Sequence, residues 1–275
     1  MRGKFRVSLL IILVLSLAVA GCGHSGYDGD DSGLNGSITI AGSTSVQPFS
    51  EVLAEEFMAQ YPGVKINVQG GGSSQGLEAT RTGVAQIGAS SRELKPEEKS
   101  FHEYLIARDG IVVIVNPANP VEDLTLEEVR LIFSGQIDNW KEIGGPDHEI
   151  ILVSRESGSG TRDGFESLAM NKEPVSDKAL IANSTGAIRT IVAGDRYAIG
   201  YVSLAVLDSS VKPLRVEGVA PTADNIRNGK YAISRPFIYV TREEPTGLVR
   251  SFIDFVLSDQ GQSILTREGA VRVRP

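Results

Sequence analysis

The sequence has a single cysteine and only three histidines among its 275 residues. One cysteine excludes an internal disulfide and a cysteine-built zinc site. The histidines, His24, His102 and His148, stand far apart and argue against a histidine-built metal centre or a histidine base. Basic residues are outnumbered, 27 against 34 acidic ones, and the chain lacks the Lys/Arg-rich run that nucleic-acid phosphates require. We therefore expect no metal, no cofactor and no nucleic acid.

The N-terminus carries three basic residues ahead of the apolar run 9–20, which a single serine interrupts. This layout is typical of a secretory signal peptide, and the run is too short to span a membrane, which needs about 20 apolar residues. The run ends in Val-Ala-Gly-Cys, which resembles the bacterial lipobox. The resemblance implies a signal peptide at 1–21 and an acylated Cys22 that anchors the protein outside the cytoplasmic membrane. The alternative is a buried free cysteine.

Residues 22–36 are rich in glycine and aspartate and contain little to bury, which predicts a lipidated flexible linker. From Ser37 onward, short β-branched runs alternate with amphipathic stretches, the pattern of an α/β protein. A polar stretch at 97–104, which includes His102, is predicted to be helical. The main pattern predicts strands at 38–41, 65–68, 86–89, 111–115, 150–153, 198–202 and 233–240, and helices at 46–60, 75–81, 126–133, 162–170, 187–192 and 247–257.

Three predicted strands run directly into clusters of glycine, serine and threonine that open a helix. The first turn of a helix leaves backbone N–H groups unpaired and carries a partial positive charge, so each junction is a ready-made anion site. One such cluster alone would be an ordinary N-cap or turn, but three in one chain favour a shared anion site. The clusters are Gly42-Ser43-Thr44-Ser45, Gly70-Gly71-Gly72-Ser73-Ser74 and Ser157-Gly158-Ser159-Gly160-Thr161.

Arg155 precedes the third cluster at the end of a predicted strand. Its planar guanidinium could hold an anion through two parallel hydrogen bonds, although an arginine in such a place can also be an ordinary surface residue. A charge-assisted hydrogen bond contributes about 1.5–3 kcal/mol, enough to make oxyanion binding favourable in competition with water. The clusters and Arg155 together predict a binding site for a tetrahedral oxyanion.

The order of the motifs GSTSVQP, GGGSSQG, IGASSREL, RESGSGTR and AIGYVS resembles that of the phosphate-binding lipoproteins of bacterial ABC phosphate importers, in the type II periplasmic-binding-protein superfamily. The resemblance covers nearly all of the mature chain, and RESGSGT is its most specific part. It implies an α/β fold of two lobes joined by two crossover strands, which we expect at 111–115 and 237–240. We expect one lobe at 37–115 with 237–275, and the other at 116–236.

The resemblance also implies phosphate-binding residues on both lobes: Thr44, Ser45, Ser73, Ser91, Arg155, Ser159, Gly160 and Thr161. The chain departs from the family pattern at Ser91, where well-known members have an aspartate that accepts a proton from phosphate and so rejects sulfate. Arg92 is a candidate cation beside it, and Asp163 is a candidate substitute acceptor. The implied protein is a monomer that performs no chemistry and delivers inorganic phosphate to an ABC permease in the cytoplasmic membrane.

Three alternatives stay open at this point. Residues 72–76 match the G-x-S-x-G pattern of a serine hydrolase with Ser74 as nucleophile, for which only His102 and His148 lie downstream. The same architecture could instead bind sulfate, molybdate or tungstate. A signalling lipoprotein that has kept the fold and lost transport is the third alternative.

Overall fold

Strands and helices alternate from Gly36 onward in the computed structural model, which describes residues 33–273. The strands are β1 (Gly36–Gly42), β2 (Val64–Gly70), β3 (Ile87–Ser90), β4 (His102–Val115), β5 (Asp123–Leu124), β6 (Ile151–Arg155), β7 (Leu180–Ala182), β8 (Ala198–Ser203), β9 (Lys212–Pro213), β10 (Arg215–Val216) and β11 (Ser234–Thr241). The helices are α1 (Gln47–Gln60), α2 (Ser73–Arg81), α3 (Leu126–Phe133), α4 (Gly160–Leu168), α5 (Thr185–Gly194), α6 (Ala223–Arg227), α7 (Gly247–Leu257) and α8 (Asp259–Arg267).

Local sequence signals explain where the main helices begin. Pro48 lies in the first turn of α1, where its missing N–H costs nothing, and Phe49, Leu53 and Phe57 bury one face of that helix. Helix α3 opens with a capping box in which the hydroxyl of Thr125 accepts from the backbone N–H of Glu128 at 3.1 Å. Both helices pack their apolar faces against strands of the central sheet.

The described strands form a nine-stranded sheet in the order β2-β1-β3-β11-β4-β8-β6-β7, with β9 beside β4. Strands β1, β2 and β3 are mutually parallel, as are β6, β7 and β8, whereas β4 and β11 run antiparallel to their neighbours. Strands β1 and β2 run in the same direction as β4, whereas β6 runs against it. Because β4 passes from one half of the sheet to the other, the carboxyl ends of β1 and β2 point toward the second half and that of β6 points toward the first, so the loops that follow these strands can converge between the halves. Ligands of open α/β sheets bind at such edges.

Strand β4 belongs to both halves of this sheet. Its residues 102–110 pair with β11, and its residues 111–115 pair with β8. The antiparallel register places Arg235 of β11 directly opposite Asp109 of β4. The chain therefore crosses between the two halves on β4 and returns on β11, which are the two crossover strands.

Two main hydrophobic cores flank the crossing point. The first contains Phe49, Phe57 and Phe237 together with residues of α7 and α8, and the second contains Trp140, Phe165 and residues of α3. Residues 111–115 pack in the second core and in a satellite of it on the other face of the sheet. The lobe ranges 37–115 with 237–275 and 116–236 stay a prediction, and this packing favours a boundary before Ile111 rather than after Val115.

One local prediction is wrong. The stretch 97–104 is not a helix, because only a single turn at Pro96–Glu98 is helical and His102 opens β4. Pairing along the whole of β11 outweighs the helical preference of the polar residues.

Several elements of the second half and the C-terminus were not predicted: the short strands β5, β7, β9 and β10, and the helices α6 and α8. Within residues 33–273, no helix is long and apolar enough to cross a bilayer. The predicted signal peptide, Cys22 and most of the linker lie outside the described residues.

Candidate functional site

Hydroxyl groups from both halves of the sheet meet at one buried point. The hydroxyl of Ser45, in the loop between β1 and α1, lies 3.0 Å from that of Thr161 on α4 and 2.9 Å from that of Thr185 on α5. All three residues are buried. The first and third sequence clusters therefore converge as predicted. We call Ser45, Thr161 and Thr185, together with Ser43, Ser73 and Ser91 described next, the hydroxyl cluster.

Ser43, Ser73 and Ser91 extend the hydroxyl cluster on the side of the first half. The hydroxyl of Ser43 donates to that of Ser91 at 2.8 Å, and the backbone N–H of Ser91 donates to the hydroxyl of Ser73 at 3.1 Å. Gly160 of α4 packs directly against these serines. A Cβ at this position would lie 2.1 Å from the Ser73 hydroxyl and 2.8 Å from the Ser91 hydroxyl. Only a glycine lets the two halves approach this closely.

Thr44 and Ser159 flank the hydroxyl cluster with different roles. Among the described residues, the buried hydroxyl of Thr44 has no hydrogen-bond partner. The hydroxyl of Ser159 caps α4 by accepting from the backbone N–H of Arg162 at 3.3 Å. The N–H groups of Gly160 and Thr161, in the first turn of α4, are of the kind that a helix leaves without an intrahelical partner.

Arg155 ends β6 and is buried behind Thr185. Its Nη1 donates to the Thr185 hydroxyl at 3.1 Å, while Nε and Nη2 donate to the two carboxylate oxygens of Glu156 at 2.8 and 2.7 Å. Glu156 is 25% exposed. The two parallel hydrogen bonds expected between Arg155 and an anion are thus made with the carboxylate of Glu156. The remaining donor atom, Nη1, faces the hydroxyl cluster.

Three residues that sequence reasoning missed also reach this point: Thr185, Arg235 and Asp109. Ser184-Thr185-Gly186 is a fourth polar cluster between a strand and a helix, so its pattern could have been recognised. Arg235 Nη2 donates to the Ser45 hydroxyl at 3.2 Å, and the only signal for it is a lone cation inside an apolar strand. Asp109 accepts from Arg235 Nε at 3.0 Å.

The buried pair Asp109 and Arg235 is electrostatically coupled. Burial raises the pKa of Asp109, and the positive charge and hydrogen bonds of Arg235 oppose that rise. Burial lowers the pKa of Arg235, which the charge of Asp109 opposes. A guanidinium holds its proton more strongly than any other basic side chain, so Arg235 stays protonated and remains a cation beside Ser45.

Arg92 and Asp163 lie outside the hydroxyl cluster. Arg92 Nε pairs with Asp163 Oδ2 at 2.8 Å, its Nη1 and Nη2 bind the carboxylate of Glu98, and Lys95 Nζ reaches Asp163 at 3.3 Å. Within residues 33–273 neither side chain has a hydrogen bond to a hydroxyl of the cluster, so Arg92 is not a cation of this cluster and Asp163 does not replace the family aspartate.

Ser74, the candidate nucleophile, is the second residue of α2 and its hydroxyl accepts from Arg92 Nη2 at 3.2 Å. Both histidines of the described residues have other partners: His102 pairs with Glu244 at 3.1 Å, and His148 stacks on Tyr197. Ser74 therefore has an arginine where a hydrolase needs a general base.

A curled α/β sheet with two halves, two crossover strands and a buried polar cluster between them defines a two-lobed solute-binding protein. A family model described as a PBP superfamily domain matches residues 30–260. Phosphate-binding protein PstS of Bacillus subtilis (strain 168) is 36% identical over 97% of this chain and 93% of its own length. Phosphate-binding protein PstS of Staphylococcus epidermidis is 32% identical over 94% of this chain and 86% of its own length.

Solved structures agree with these relatives. A structure from Clostridium perfringens, described as a phosphate ABC transporter substrate-binding protein with bound phosphate, has a TM-score of 0.85 and 44% identity, and covers 87% of this chain and 100% of its own. An ABC-type phosphate transport receptor from Vibrio cholerae has a TM-score of 0.74 and 39% identity, over 86% of this chain and 100% of its own. The chain belongs to the PstS phosphate-binding protein family, and the predicted two-lobed type II fold is confirmed.

Proposed function

We propose that this chain captures inorganic phosphate between its two lobes and delivers it to an ABC importer. The observation that carries the proposal is the hydroxyl cluster, in which Ser45 of one half meets Thr161 and Thr185 of the other beside two buried arginines. Hydroxyls, helix N-termini and guanidinium groups are the donors that bind tetrahedral oxyanions. The relatives named phosphate-binding protein support phosphate as the oxyanion.

The proposed ligand donors come from both lobes. On one side they are the hydroxyls of Ser45, Ser73 and Ser91 with Thr44, whose buried hydroxyl is unpaired within residues 33–273. On the other side they are Arg155 Nη1, the hydroxyls of Ser159 and Thr161 and the first N–H groups of α4, at Gly160. Binding requires both lobes, so phosphate shifts the population toward the closed form, and the closed form is what a permease recognises. No bond of the ligand is broken in this process.

The same proposal covers location. An acylated Cys22 and the linker 22–36 would hold the binding domain outside the cytoplasmic membrane, next to its permease. A net charge of -7 does not oppose phosphate binding, because surface charges are screened beyond about 8–10 Å whereas the donors act at hydrogen-bond distance. We propose that the protein acts as a monomer.

Calorimetric titration of the mature chain carrying Cys22→Ser, stripped of ligand by unfolding and refolding, tests this function. We expect micromolar or tighter phosphate binding, and at least tenfold weaker binding after Arg155→Ala. Arg130→Ala is the matched control, because Arg130 lies on α3, outside the cluster, and pairs there with Glu127 of the same helix and with Glu173. Preference for sulfate or molybdate would support an oxyanion site here but refute phosphate as its ligand. Absence of any oxyanion binding would refute the proposal as a whole.

A further inference from the structure

Arg235 lies on a crossover strand and is fully buried, yet it is not among the residues that the family resemblance implies. Its cross-strand neighbour Asp109 accepts from Nε at 3.0 Å and from Nη2 at 2.8 Å, both through Oδ2. The side chains are 0% and 1% exposed. Burial of two charges costs much solvation energy, so a buried pair of this kind is weak evidence for a stabilising role and calls for another explanation.

The guanidinium of Arg235 makes hydrogen bonds in addition to those with Asp109. Nη2 also donates to the Ser45 hydroxyl, and Nη1 donates to the backbone carbonyl of Ser91, each at 3.2 Å. Ser45 and Ser91 are both proposed phosphate ligands. Arg235 thus fixes the loop after β1 and the end of β3 relative to the crossover strand.

Two hydroxyls connect Arg235 to Arg155. Arg235 Nη2 donates to the Ser45 hydroxyl, which lies 2.9 Å from the Thr185 hydroxyl, which in turn accepts from Arg155 Nη1 at 3.1 Å. A hydroxyl that accepts from a guanidinium directs its own proton elsewhere and donates it more strongly. Each arginine therefore makes its hydroxyl a better donor toward the cluster.

The arrangement of charge agrees with this. Glu156 binds Nε and Nη2 of Arg155, and Nη1 contacts the cluster. Asp109 binds Nε and Nη2 of Arg235, and Nη2 also contacts the cluster at Ser45. A dianion at the cluster would meet a guanidinium on each side. Arg155 alone, whose other donors are held by Glu156, supplies only one of these two charges.

We propose that Arg235, held by Asp109, is a positioning and affinity-determining residue of the anion site, which orients Ser45 and Ser91 and supplies a second positive charge for a tetrahedral dianion. This inference rests on the proposed function. It makes the crossover strand part of the binding site, in addition to the loops that open the helices.

The test replaces the whole ion pair by apolar side chains of similar size. Asp109→Leu with Arg235→Met removes both charges together, which in buried pairs is often neutral for folding. We expect a folded protein, with a melting temperature near that of the parent, that binds phosphate at least tenfold more weakly in calorimetry. With Asp109 intact, Arg235→Lys should bind phosphate more tightly than Arg235→Gln, because lysine restores the charge.

A folded double variant that binds phosphate within twofold of the parent would overturn the inference, since the pair would then be structural only. Equal binding by the lysine and glutamine variants would do the same. If the double variant does not fold, Asp109→Asn decides, because it keeps an accepting oxygen for Arg235 and removes the negative charge. The inference expects phosphate binding at least as tight as in the parent, and a tenfold loss would contradict it. Failure of the parent itself to bind phosphate would refute the proposed function instead.

Discussion

The ion pair between Arg92 and Asp163 joins the two halves at the rim of the closed site. Arg92 follows β3 in the first half, and Asp163 lies in the first turn of α4 in the second half. Their atoms Nε and Oδ2 are 2.8 Å apart, and Lys95 adds a second contact to Asp163 at 3.3 Å. Opening of the lobes would break both contacts, so Asp163→Asn should disfavour the closed form.

The expected loss of phosphate affinity depends on how deeply the ion pair between Arg92 and Asp163 is buried. Exposed ion pairs contribute about 0–1 kcal/mol, and hydrogen bonds to charged groups in buried settings contribute about 1.5–3 kcal/mol. The Arg92 side chain is 5% exposed and that of Asp163 is 23% exposed, which places the pair between these limits. A loss of about 1.4 kcal/mol would reduce the closing equilibrium about tenfold, and the apparent affinity for phosphate would fall by up to the same factor.

Phosphate titration at low and high salt measures this change in apparent affinity. We expect Asp163→Asn to bind phosphate about five- to tenfold more weakly, and to depend less on salt than the parent does, because an electrostatic contact has been removed. Asp224→Asn is the control: Asp224 also lies in a first helical turn beside an arginine, Arg227, but that pair stays within the second half. Binding by Asp163→Asn within twofold of the parent at low salt would refute the reasoning.

Three further predictions concern other positions. Gly160→Ala should weaken phosphate binding at least tenfold with little change in melting temperature, because its Cβ would lie 2.1 Å from a serine hydroxyl of the other half. Gly194→Ala is the control, because Gly194 ends α5 and has no atom within 4 Å of its Cβ, and equal binding by both variants would contradict this prediction. Ser91→Asp should raise the ratio of phosphate to sulfate affinity, since a carboxylate repels an anion without a proton, and an unchanged ratio would count against this account. Burial raises the pKa of Glu98, but hydrogen bonds from Arg92 outweigh it and the net pKa lies below the ordinary value. The stability that Glu98 contributes is therefore fully present above about pH 4.3 and is lost progressively as the pH falls below it, so Glu98→Gln should destabilise more in urea unfolding at pH 7 than at pH 3, and an equal loss at both would argue otherwise.

The convergence of the sequence clusters could be predicted because it depends only on local pattern and sheet geometry. Gly-Ser-Thr loops that follow parallel strands lie at the carboxyl edge of their own half, and the crossover strands turn the two edges toward each other, which brings Ser45 and Thr161 together. The position of Arg155 at this edge could be predicted for the same reason, since it is the last residue of β6. The order of the motifs indicated the family by resemblance, and the family fold implied the two crossover strands.

What could not be predicted depends on register and on competition between partners. Asp109 and Arg235 are distant in the sequence, and only the alignment of β4 with β11 makes them neighbours. The pairing of Arg155 with the adjacent Glu156 is a choice between an internal carboxylate and the ligand, which residue type alone does not decide. The position of Asp163 next to the third cluster suggests an acceptor for the ligand, but in the fold its carboxylate pairs with Arg92 and Lys95.

The hydroxyl of Ser45 links ligand binding to closure. It accepts from Arg235 of the crossover strand and contacts Thr161 and Thr185 of the second half, yet it has only one proton to donate. The cluster is built from hydroxyls and guanidinium groups, so in the closed form its donors compete for a few accepting oxygens. A tetrahedral oxyanion such as phosphate brings more accepting oxygens than donors. It therefore relieves this competition where the halves meet, and the affinity of the site and the stability of the closed form rise together.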